Sequence, residues 1–325
     1  MTDNKGILVI VEVKNGIPLP VTAELFGAAA VISTGMNESI NAVAIGLGAR
    51  SAASSLGKFG ASMVFASEMN DADALSAVSI LQSAIGQSSP RVVLIAETDL
   101  SRDLAPLLAA RLNTAAVTDV IALRVENDTI IATRPVYGGN ALADFTIDSE
   151  PQVISIRLKA FTPEPADETR LVTVSDLPAI TRPAGIRILE HVTMQQHGPK
   201  LEDAKIVVGG GRGLGGPEGF VQLKQLADLL GGVVGASRPP CDQGWWPESG
   251  QIGVTGKIIA PDLYIAVGIS GSSQHVSGVS GAKTIVAINK DPEANIFKAA
   301  SYGVTADWKK VLPAFTAKVK ELTGR

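Results

Sequence analysis

The sequence contains a single cysteine, Cys241, and only three histidines among its 325 residues. One cysteine cannot form a disulfide within the chain, and a thiolate metal site needs several of them. The histidines, His191, His197 and His275, do not follow a metal-ligand spacing such as H-E-x-x-H. These shortages argue against a disulfide scaffold and a metal centre. They predict a cytoplasmic protein that uses an organic cofactor or none.

Aromatic residues make up only 4% of the chain, and no apolar run is long enough to span a bilayer. The first apolar run, residues 7–13, is interrupted by Glu12 and does not resemble a signal peptide. The amino terminus is not rich in arginine either, as an organelle transit peptide would be. We therefore expect no membrane insertion.

Long basic stretches are also missing, and the net charge is −4 at pH 7. Proteins that bind nucleic acid or anionic membranes usually carry a basic patch, so neither partner is expected. The chain is rich instead in small and aliphatic residues: 46% of it is hydrophobic, 18% is charged, and 33 residues are glycine. This composition suits parallel sheets covered by helices, and the length predicts about two domains.

In the first half, short β-branched runs alternate with alanine-rich helical stretches, which predicts a parallel α/β sheet. Asp99 or Ser101 is the expected cap of one helix, and Asn127 with Asp128 is the expected turn of a hairpin. The predicted strands are residues 7–13, 42–45, 63–66, 92–96, 122–126, 129–134, 153–156 and 171–174; the predicted helices include residues 71–85 and 101–111, and residues 162–168 are an expected exposed loop.

The polar stretch of residues 191–204 has little periodicity, and we place the domain boundary there. The prediction is an N-terminal parallel-sheet α/β domain over residues 1–195 and a C-terminal doubly wound domain over residues 196–325. In the second domain the predicted strands are residues 205–208, 233–236, 263–267, 284–288 and 304–306, and the predicted helices are residues 218–230, 273–279, 293–300 and 313–322.

Polar residues follow every predicted strand of the second domain. Ligands of open α/β sheets bind beyond the carboxyl ends of the strands, so these residues predict a common binding edge. Glycines there let backbone N–H groups approach an anion, and a helix N-terminus adds partial positive charge. Each residue taken alone also has an ordinary interpretation as a turn, a cap or a surface group. The residues are Gly209 to Arg212, Ser237 with Arg238, Gly268 to His275, Asn289 to Asp291, and Asp307.

The first of these loops contains a G-x-G-x-x-G match at Gly211, Gly213 and Gly216, which alone is weak evidence for a dinucleotide. An NAD site would place an acid after the second strand, but Ser237 and Arg238 stand there. Arg238 by itself favours NADP, because a guanidinium suits the extra phosphate. An NADP-dependent oxidoreductase therefore stays an alternative. No Ser–Tyr–Lys or His–Asp constellation for hydride transfer accompanies it.

Longer stretches resemble the α subunit of electron-transferring flavoproteins. They are "GGRGL", "GASRP", "QIGVTGKIIAPDLYIAVGISGSSQH", "TIVAINKDPEANIF" and "YGVTAD", with weaker matches at "SRDLAPLLAARL", "VTDV" and "TRPVYGGNALA". The likeness covers nearly the whole chain and is strongest over the last 120 or so residues. It implies FAD bound mainly by the second domain and a β subunit that completes a heterodimer.

The resemblance implies that FAD contacts lie on the same strand ends, with one further loop at residues 251–255. The residues carried over are Arg212, Ser237, Arg238, Gln251, Ile252, Gly253, Val254, Thr255, Ser270, Gly271, Ser272, Ser273, Gln274, His275, Asn289 and Asp307. A one-electron carrier needs no acid–base catalyst, so none is assigned.

The resemblance also implies individual roles. Thr255 has a hydroxyl that can donate to or accept from flavin N5. Arg238 would stabilise negative charge on a reduced flavin, the alternative being a surface ion pair. His275 would donate a hydrogen bond near N1 and the C2 carbonyl, the alternative being a structural histidine.

The remaining expected contacts concern the diphosphate and the sugar parts of FAD. Serines 270, 272 and 273 and the helix that follows them suit the diphosphate. Asn289 suits ribityl or phosphate oxygens, and Asp307 suits ribose hydroxyls unless it only caps a helix.

Two features depart from the family pattern. Val254 stands where the family usually has glutamine, so one hydrogen bond near the flavin is expected to be missing. Trp245 and Trp246, in the same stretch as Cys241, are expected to pack at the domain junction or to shape the partner surface.

The resemblance further implies electron transfer from a flavin dehydrogenase, such as an acyl-CoA dehydrogenase of fatty acid β-oxidation, to a quinone-linked or other acceptor. A bifurcating version of the same flavoprotein, which depends on a second FAD, stays open. So does an inactive α/β scaffold, although Arg212, Thr255 and His275 argue against a decayed site.

Overall fold

The computed structural model describes residues 5–69, 73–139, 141–177 and 200–324. The chain forms two compact units, Met1–Val136 with Leu142–Val192 and Tyr137–Ala141 with Thr193–Arg325. Both units are parallel α/β structures, which confirms the predicted fold class. The predicted boundary between residues 195 and 196 lies outside the described residues, as do His191 and His197.

The first unit is built on an eight-stranded sheet in the order β11-β4-β3-β1-β5-β10-β6, with β2 paired antiparallel to β1 and all other pairs parallel. Its strands are β1 (Ile7–Lys14), β2 (Ile17–Pro18), β3 (Ile40–Gly46), β4 (Met63–Glu68), β5 (Val92–Ala96), β6 (Ala116–Val120), β10 (Gln152–Ile156) and β11 (Thr173–Asp176). The helices that cover it are α1 (Thr22–Met36), α2 (Ala49–Ala53), α3 (Ala74–Ser88) and α4 (Asp99–Leu112).

Successive side chains of β1 point to opposite faces of this sheet and enter different cores. Val9 and Val11 belong to one apolar cluster, and Leu8 and Ile10 belong to the other. All four are buried, because a parallel sheet covered on both faces exposes neither side to water. This is why the strand appears in the sequence as a continuous apolar run rather than an alternating one.

The predicted hairpin is confirmed as β7 (Ala122–Glu126) paired antiparallel with β8 (Thr129–Val136). Asn127 and Asp128 both have positive φ, at 49° and 58°, as a two-residue hairpin turn requires. A third strand, β9 (Ala141–Phe145), lies next to β8. The predicted helix caps are wrong: the N-cap of α4 is Thr98, which forms a capping box with Ser101.

The second unit has a five-stranded parallel sheet in the order β13-β12-β14-β15-β16. The order reverses between β12 and β14, and apolar clusters cover both faces, so the unit is doubly wound as predicted. Its strands are β12 (Ile206–Gly210), β13 (Val233–Ala236), β14 (Leu263–Val267), β15 (Thr284–Asn289) and β16 (Tyr302–Thr305). Its helices are α5 (Glu218–Leu230), α6 (Arg238–Asp242), α7 (Ser273–Val279), α8 (Ile296–Ala299) and α9 (Trp308–Thr323).

The last helix begins earlier than its sequence predicts. Pro313 is the expected start, yet α9 starts at Trp308 and contains Pro313 in its interior. Asp307 caps the helix by accepting a hydrogen bond from the Lys309 N–H at 3.0 Å, and Trp308 and Leu312 are buried in the core. Burial of these side chains outweighs the one backbone hydrogen bond that a proline removes.

In the part of the chain that the structure describes, no helix has the length and apolar character needed to cross a membrane.

Candidate functional site

A cavity of about 710 Å³ opens at the carboxyl ends of the second unit's strands. Its wall comes from the segments that follow β12, β13, β14 and β15, and from the loop of residues 251–255. The cavity therefore lies where the strand order reverses, which is the usual ligand position in an open α/β sheet. Its volume is in the range of small-molecule and cofactor sites.

The cavity brings together most of the residues that the sequence predicts for FAD. Gly271, Ser273 and Asp307 do not line it. The predicted residues on its wall are Arg212, Ser237, Arg238, Gln251, Ile252, Gly253, Val254, Thr255, Ser270, Ser272, Gln274, His275 and Asn289.

The glycine-rich turn after β12 packs directly against the end of β14. The N–H groups of Gly211 and Gly213 donate to the carbonyls of Val267 and Gly268, each at 2.9 Å. A Cβ atom on Gly211 would lie 2.1 Å from the Gly268 carbonyl oxygen, so only glycine fits there without backbone movement. This close packing places Arg212 on the cavity wall.

Positive charge exceeds negative charge on the wall. Arg212, Arg238 and Lys290 line the cavity together with one carboxylate, that of Asp291. Within the described part of the chain, Arg212 has no ion-pair partner. An excess of cationic side chains around a cavity suits a phosphate-bearing ligand.

Arg238 also forms the surface ion pair that was its alternative interpretation. Its Nε lies 3.3 Å from Asp242 Oδ2, one helical turn along α6, and both side chains are more than half exposed. Exposed pairs of this kind contribute little to stability, because water and salt screen them. Breaking this ion pair therefore costs little free energy if the guanidinium turns toward a ligand in the cavity.

Residues 251–255, which we call the 251–255 loop, are attached to the end of β13. The Ile252 N–H donates to the Ala236 carbonyl at 2.8 Å. Gln251 Nε2 donates to Thr255 Oγ1 at 3.0 Å, which leaves the Thr255 hydroxyl hydrogen free to be donated. Val254 is 49% exposed and offers an apolar side chain to the cavity.

His275 does not fit the flavin-donor role expected from the sequence. Its Nδ1 lies 3.1 Å from the Ile252 carbonyl oxygen, and its Nε2 lies 2.9 Å from the Tyr264 hydroxyl. Burial lowers the pKa of His275 to about 4, although the hydrogen bond to the Ile252 carbonyl opposes this shift. The neutral ring has one N–H, which the carbonyl takes, so no donor is left for a ligand. His275 therefore has the alternative role considered from the sequence, that of a structural histidine.

Asn289 supports a neighbouring loop as well as lining the cavity. Its Nδ2 donates to the Ile269 carbonyl at 2.8 Å, and its Oδ1 accepts from the Asp291 N–H at 3.0 Å. One hydrogen of the amide nitrogen remains for a ligand oxygen. The side chain is buried, so these bonds also satisfy polar atoms that water cannot reach.

Three predicted residues have other surroundings. Gly271, at φ +81°, packs against the start of α8, where a Cβ atom would lie 2.1 Å from the Ile296 nitrogen. Ser273 is the first residue of α7, and its hydroxyl donates to the Gln274 side chain. Asp307 is the N-cap of α9, which matches the cap alternative. Their contact with FAD remains a prediction from the resemblance.

The cavity wall also includes residues that are not among those carried over for FAD. Gly268, Ile269, Lys290 and Asp291 belong to the predicted strand-end edge and Gly213 to the glycine motif, whereas Pro239 and Ala294 are apolar and carry no such signal. The additional residues are Gly213, Pro239, Gly268, Ile269, Lys290, Asp291 and Ala294.

Trp245 and Trp246 pack against the apolar cluster of the second unit's own core. The Trp246 ring stacks on Phe220 of α5, with centroids 4.9 Å apart. Neither tryptophan lines the cavity. Cys241 is buried nearby, and burial raises the pKa of its thiol to about 11, so it is a packing residue rather than a nucleophile.

Comparisons with known proteins agree with the resemblance found in the sequence. The family model described as electron transfer flavoprotein domain matches residues 7–181, and the model described as electron transfer flavoprotein FAD-binding domain matches residues 200–280. Several relatives bear the name electron transfer flavoprotein subunit alpha. That of Thermoanaerobacterium thermosaccharolyticum is 38% identical, over 99% of this chain and 100% of the relative. That of Bacillus subtilis is 39% identical, over 98% of each chain, and that of Megasphaera elsdenii is 35% identical, over 100% of this chain and 99% of the relative.

The cavity lies in the part of the chain that matches the FAD-binding model, and the first model spans more than half of the sequence. The chain therefore belongs to the electron transfer flavoprotein alpha-subunit family, and its second unit carries the FAD-binding domain of that family.

Proposed function

We propose that this chain is the FAD-carrying subunit of a heterodimeric electron carrier. It accepts electrons from a partner flavin dehydrogenase, such as an acyl-CoA dehydrogenase, and passes them to a quinone-linked or other redox partner. The observation that supports this most is one cavity, within the FAD-binding domain, whose wall unites most of the residues carried over from the family.

The chemistry of the wall fits FAD. A diphosphate needs cations and donors, and Arg212, Ser270 and Ser272 supply them. A flavin ring needs apolar surface beside a few polar groups, and the exposed residues Pro239 and Val254 supply that surface. The glycine-rich turn after β12 packs closely against the Gly268 backbone, which places the Arg212 cation on the wall.

When bound, FAD supplies the redox chemistry, by accepting and releasing one or two electrons. The residues of this chain set its environment. The Thr255 hydroxyl would donate a hydrogen bond to the flavin, and the Arg238 guanidinium would favour extra negative charge on the ring. Asn289 offers one amide hydrogen to a ribityl or phosphate oxygen. We assign no catalytic residue, because an electron carrier needs none.

The partner subunit is inferred from the relatives. They are named subunit alpha, which implies at least one other kind of subunit, and we propose a β subunit for this chain as well. We infer the electron donor and the electron acceptor from the family alone.

The test is to co-purify the chain with its β subunit and to measure flavin absorption and flavins per heterodimer. A flavin spectrum that is bleached by a dehydrogenase and its substrate supports the proposal. A second FAD per heterodimer identifies the bifurcating version of the same carrier. A colourless protein that binds NADPH overturns the proposal in favour of an NADP-dependent oxidoreductase.

Two glycine variants test whether FAD binds in this cavity. Gly211→Ala should lose most of its FAD, because the new Cβ atom collides with the Gly268 carbonyl oxygen. Gly86→Ala is the matched control, since a Cβ atom there meets nothing within 4 Å. Equal FAD content in the two variants would mean that the cofactor binds elsewhere.

A further inference from the structure

Tyr264 is a fully buried polar side chain that lies beside the cavity without lining it. It belongs to β14 and has no measurable exposure. Burial raises the pKa of its phenol, so the hydroxyl keeps its hydrogen at any physiological pH. A buried hydroxyl must be paired to offset the loss of its hydrogen bonds to water.

The phenol reaches its partner through a gap left by a glycine. A Cβ atom on Gly209 of the neighbouring strand β12 would lie 2.1 Å from the Tyr264 oxygen. Gly209 is therefore needed because any side chain there would occupy the space of the phenol, and not because the backbone turns at this position. The space allows the hydroxyl to lie 2.9 Å from His275 Nε2.

The chemistry of the partners fixes the direction of both hydrogen bonds. The Ile252 carbonyl can only accept, so His275 Nδ1 carries the hydrogen and donates it over 3.1 Å. His275 Nε2 is then unprotonated and accepts from the Tyr264 hydroxyl. The chain of bonds runs from β14 through the α7 residue His275 to the backbone of the 251–255 loop.

His275 is one of several groups that hold the 251–255 loop. The Ile252 N–H donates to β13, and the Val254 N–H donates to the Gln274 carbonyl at 3.0 Å. The Gln251 and Gly253 N–H groups donate to the Glu248 and Lys257 carbonyls at 2.9 and 3.1 Å. The first of these bonds is at Ile252, the residue whose carbonyl His275 holds, and the bond from Val254 goes to Gln274, the residue before His275. Gly253 lies between Ile252 and Val254 at φ +145°, a conformation that side-chain-bearing residues rarely adopt.

We propose that Tyr264 is a positioning residue, which acts through His275 to hold the 251–255 loop in the shape that binds FAD. The inference rests on the proposed function of the cavity, because the loop carries Thr255 on its wall. Tyr264 itself does not line the cavity.

The main test is Tyr264→Phe in the full chain with its β subunit. The variant keeps the ring that fills the core and removes only the hydroxyl. We expect the FAD dissociation constant to rise about 3- to 10-fold, the range that one net hydrogen bond spans. Backbone N–H groups of residues 252 and 254 should exchange with solvent faster. Tyr302→Phe is the matched control, because Tyr302 is 68% exposed on β16, and it should change neither quantity.

The ¹⁵N signals of the His275 ring provide a second measurement, which would not change if Tyr264 only filled space in the core. With ¹⁵N-histidine in this chain only, wild-type His275 should show a protonated Nδ1 and an unprotonated Nε2. In Tyr264→Phe the ¹⁵N signal of Nε2 should shift, because Nε2 loses its hydrogen bond, while Nδ1 should stay protonated, because the Ile252 carbonyl still accepts from it. This measurement needs no FAD, and the opposite tautomer in the wild type would overturn the proposal even if the variant failed to fold.

A double-mutant cycle tests whether Tyr264 acts through His275. In a His275→Gln background, Tyr264→Phe should change the FAD dissociation constant less than about 2-fold, because coupled residues are not additive. Additive losses, or an unchanged constant in the single variant, would overturn the positioning role. Failure of the wild-type complex to bind FAD would instead count against the proposed function, while the tautomer and exchange measurements still report on Tyr264.

Discussion

At the scale of single residues, some polar side chains of the site are available to bind a ligand, and others hold the protein backbone in place. Arg212 and Lys290 project cationic side chains at the cavity wall. His275 and Asn289 line the same wall, yet their polar atoms hold the backbone at Ile252 and Ile269. Buried polar atoms must find partners, and a side chain with protein partners on every ring nitrogen is unavailable to a ligand. The sequence alone does not separate the two kinds of residue.

We expect Arg238 to interact with the bound flavin. Arg238→Ala should make the flavin harder to reduce, because a positive charge that favours the reduced ring is lost. We expect the reduction potential to fall by roughly 30 to 60 mV for a one-electron step, equivalent to a three- to tenfold change in the equilibrium constant. Spectroelectrochemical titration of the heterodimer measures this shift.

Two variants control for the ion pair between Arg238 and Asp242. Arg238→Lys keeps the charge and should retain most of the potential. Asp242→Asn removes the partner but leaves the guanidinium, so the potential should not fall. If Arg238→Ala leaves the potential unchanged, the arginine is only a surface residue of α6.

At the scale of elements, the sequence predicts best those strands and helices whose signals are local. The strand at residues 92–96 and the helix at residues 218–230 match β5 and α5 at both ends, because an unbroken apolar run and a glycine after the helix define them. The predicted strand at residues 171–174 is shifted relative to β11, which pairs with β4 from Thr173. That register depends on a neighbour more than a hundred residues away.

The carboxyl end of β1 shows how packing changes the chemistry of a side chain. Glu12 accepts a hydrogen bond from the Thr98 hydroxyl at the start of α4. Burial raises the pKa of Glu12, and the charge of Asp99 adds to the shift, while the Thr98 hydrogen bond opposes it. Ionisation of this carboxylate at neutral pH therefore costs the folded protein free energy.

Glu12→Gln should stabilise the protein at pH 7 to 8 and make no difference near pH 4. A carboxyl with a raised folded pKa contributes stability that is complete below its ordinary value of 4.5 and is lost as pH rises through the folded pKa. Glutamine keeps an acceptor for Thr98 and never ionises. Melting temperatures across this pH range measure the difference.

Glu321→Gln, at an exposed carboxylate of α9, is the control and should change the melting temperature little at any pH. A Glu12→Gln variant that is less stable than the wild type at pH 7 would mean that the ionised carboxylate is favourable where it lies.

At the scale of the whole molecule, the two units should respond differently to acid. The first unit contains half-buried carboxyls at Glu12, Glu24 and Glu97, whose pKa values desolvation raises. The second contains His275, whose pKa burial lowers to about 4. Folded His275 binds fewer protons than unfolded histidine, so the second unit loses stability as pH falls from about 6.5 toward 4. The raised carboxyl pKa values act in the opposite direction.

Intrinsic fluorescence separates the two responses, because all three tryptophans, at positions 245, 246 and 308, lie in the second unit. Between pH 6.5 and 5, the denaturant midpoint followed by tryptophan fluorescence should fall more than the midpoint followed by far-UV circular dichroism. The full effect of His275 amounts to roughly 3 kcal/mol, at about 1.4 kcal/mol for each pKa unit. In His275→Gln the fluorescence midpoint should depend less on pH. Equal pH dependence of both probes in the wild type would contradict this account.

The sequence by itself determined the α/β class, most strand positions in both units and the edge at which the cavity lies. These follow from local patterns: apolar runs specify buried strands, and glycines and polar groups after them specify the ends. The longer motifs also determined the family, since a match of that length is far more specific than one glycine triplet.

Only the tertiary structure decided which of the candidate residues face the cavity. It assigned His275 to a buried chain of hydrogen bonds, placed Asp307 at the start of α9, and turned Gly271 toward α8. The physical reason is that the direction of a side chain and the partners of its polar atoms depend on elements distant in sequence. Tyr264 and Ile252 meet His275, and Gly209 leaves room for the Tyr264 phenol, only because β12, β14, α7 and the 251–255 loop are packed together.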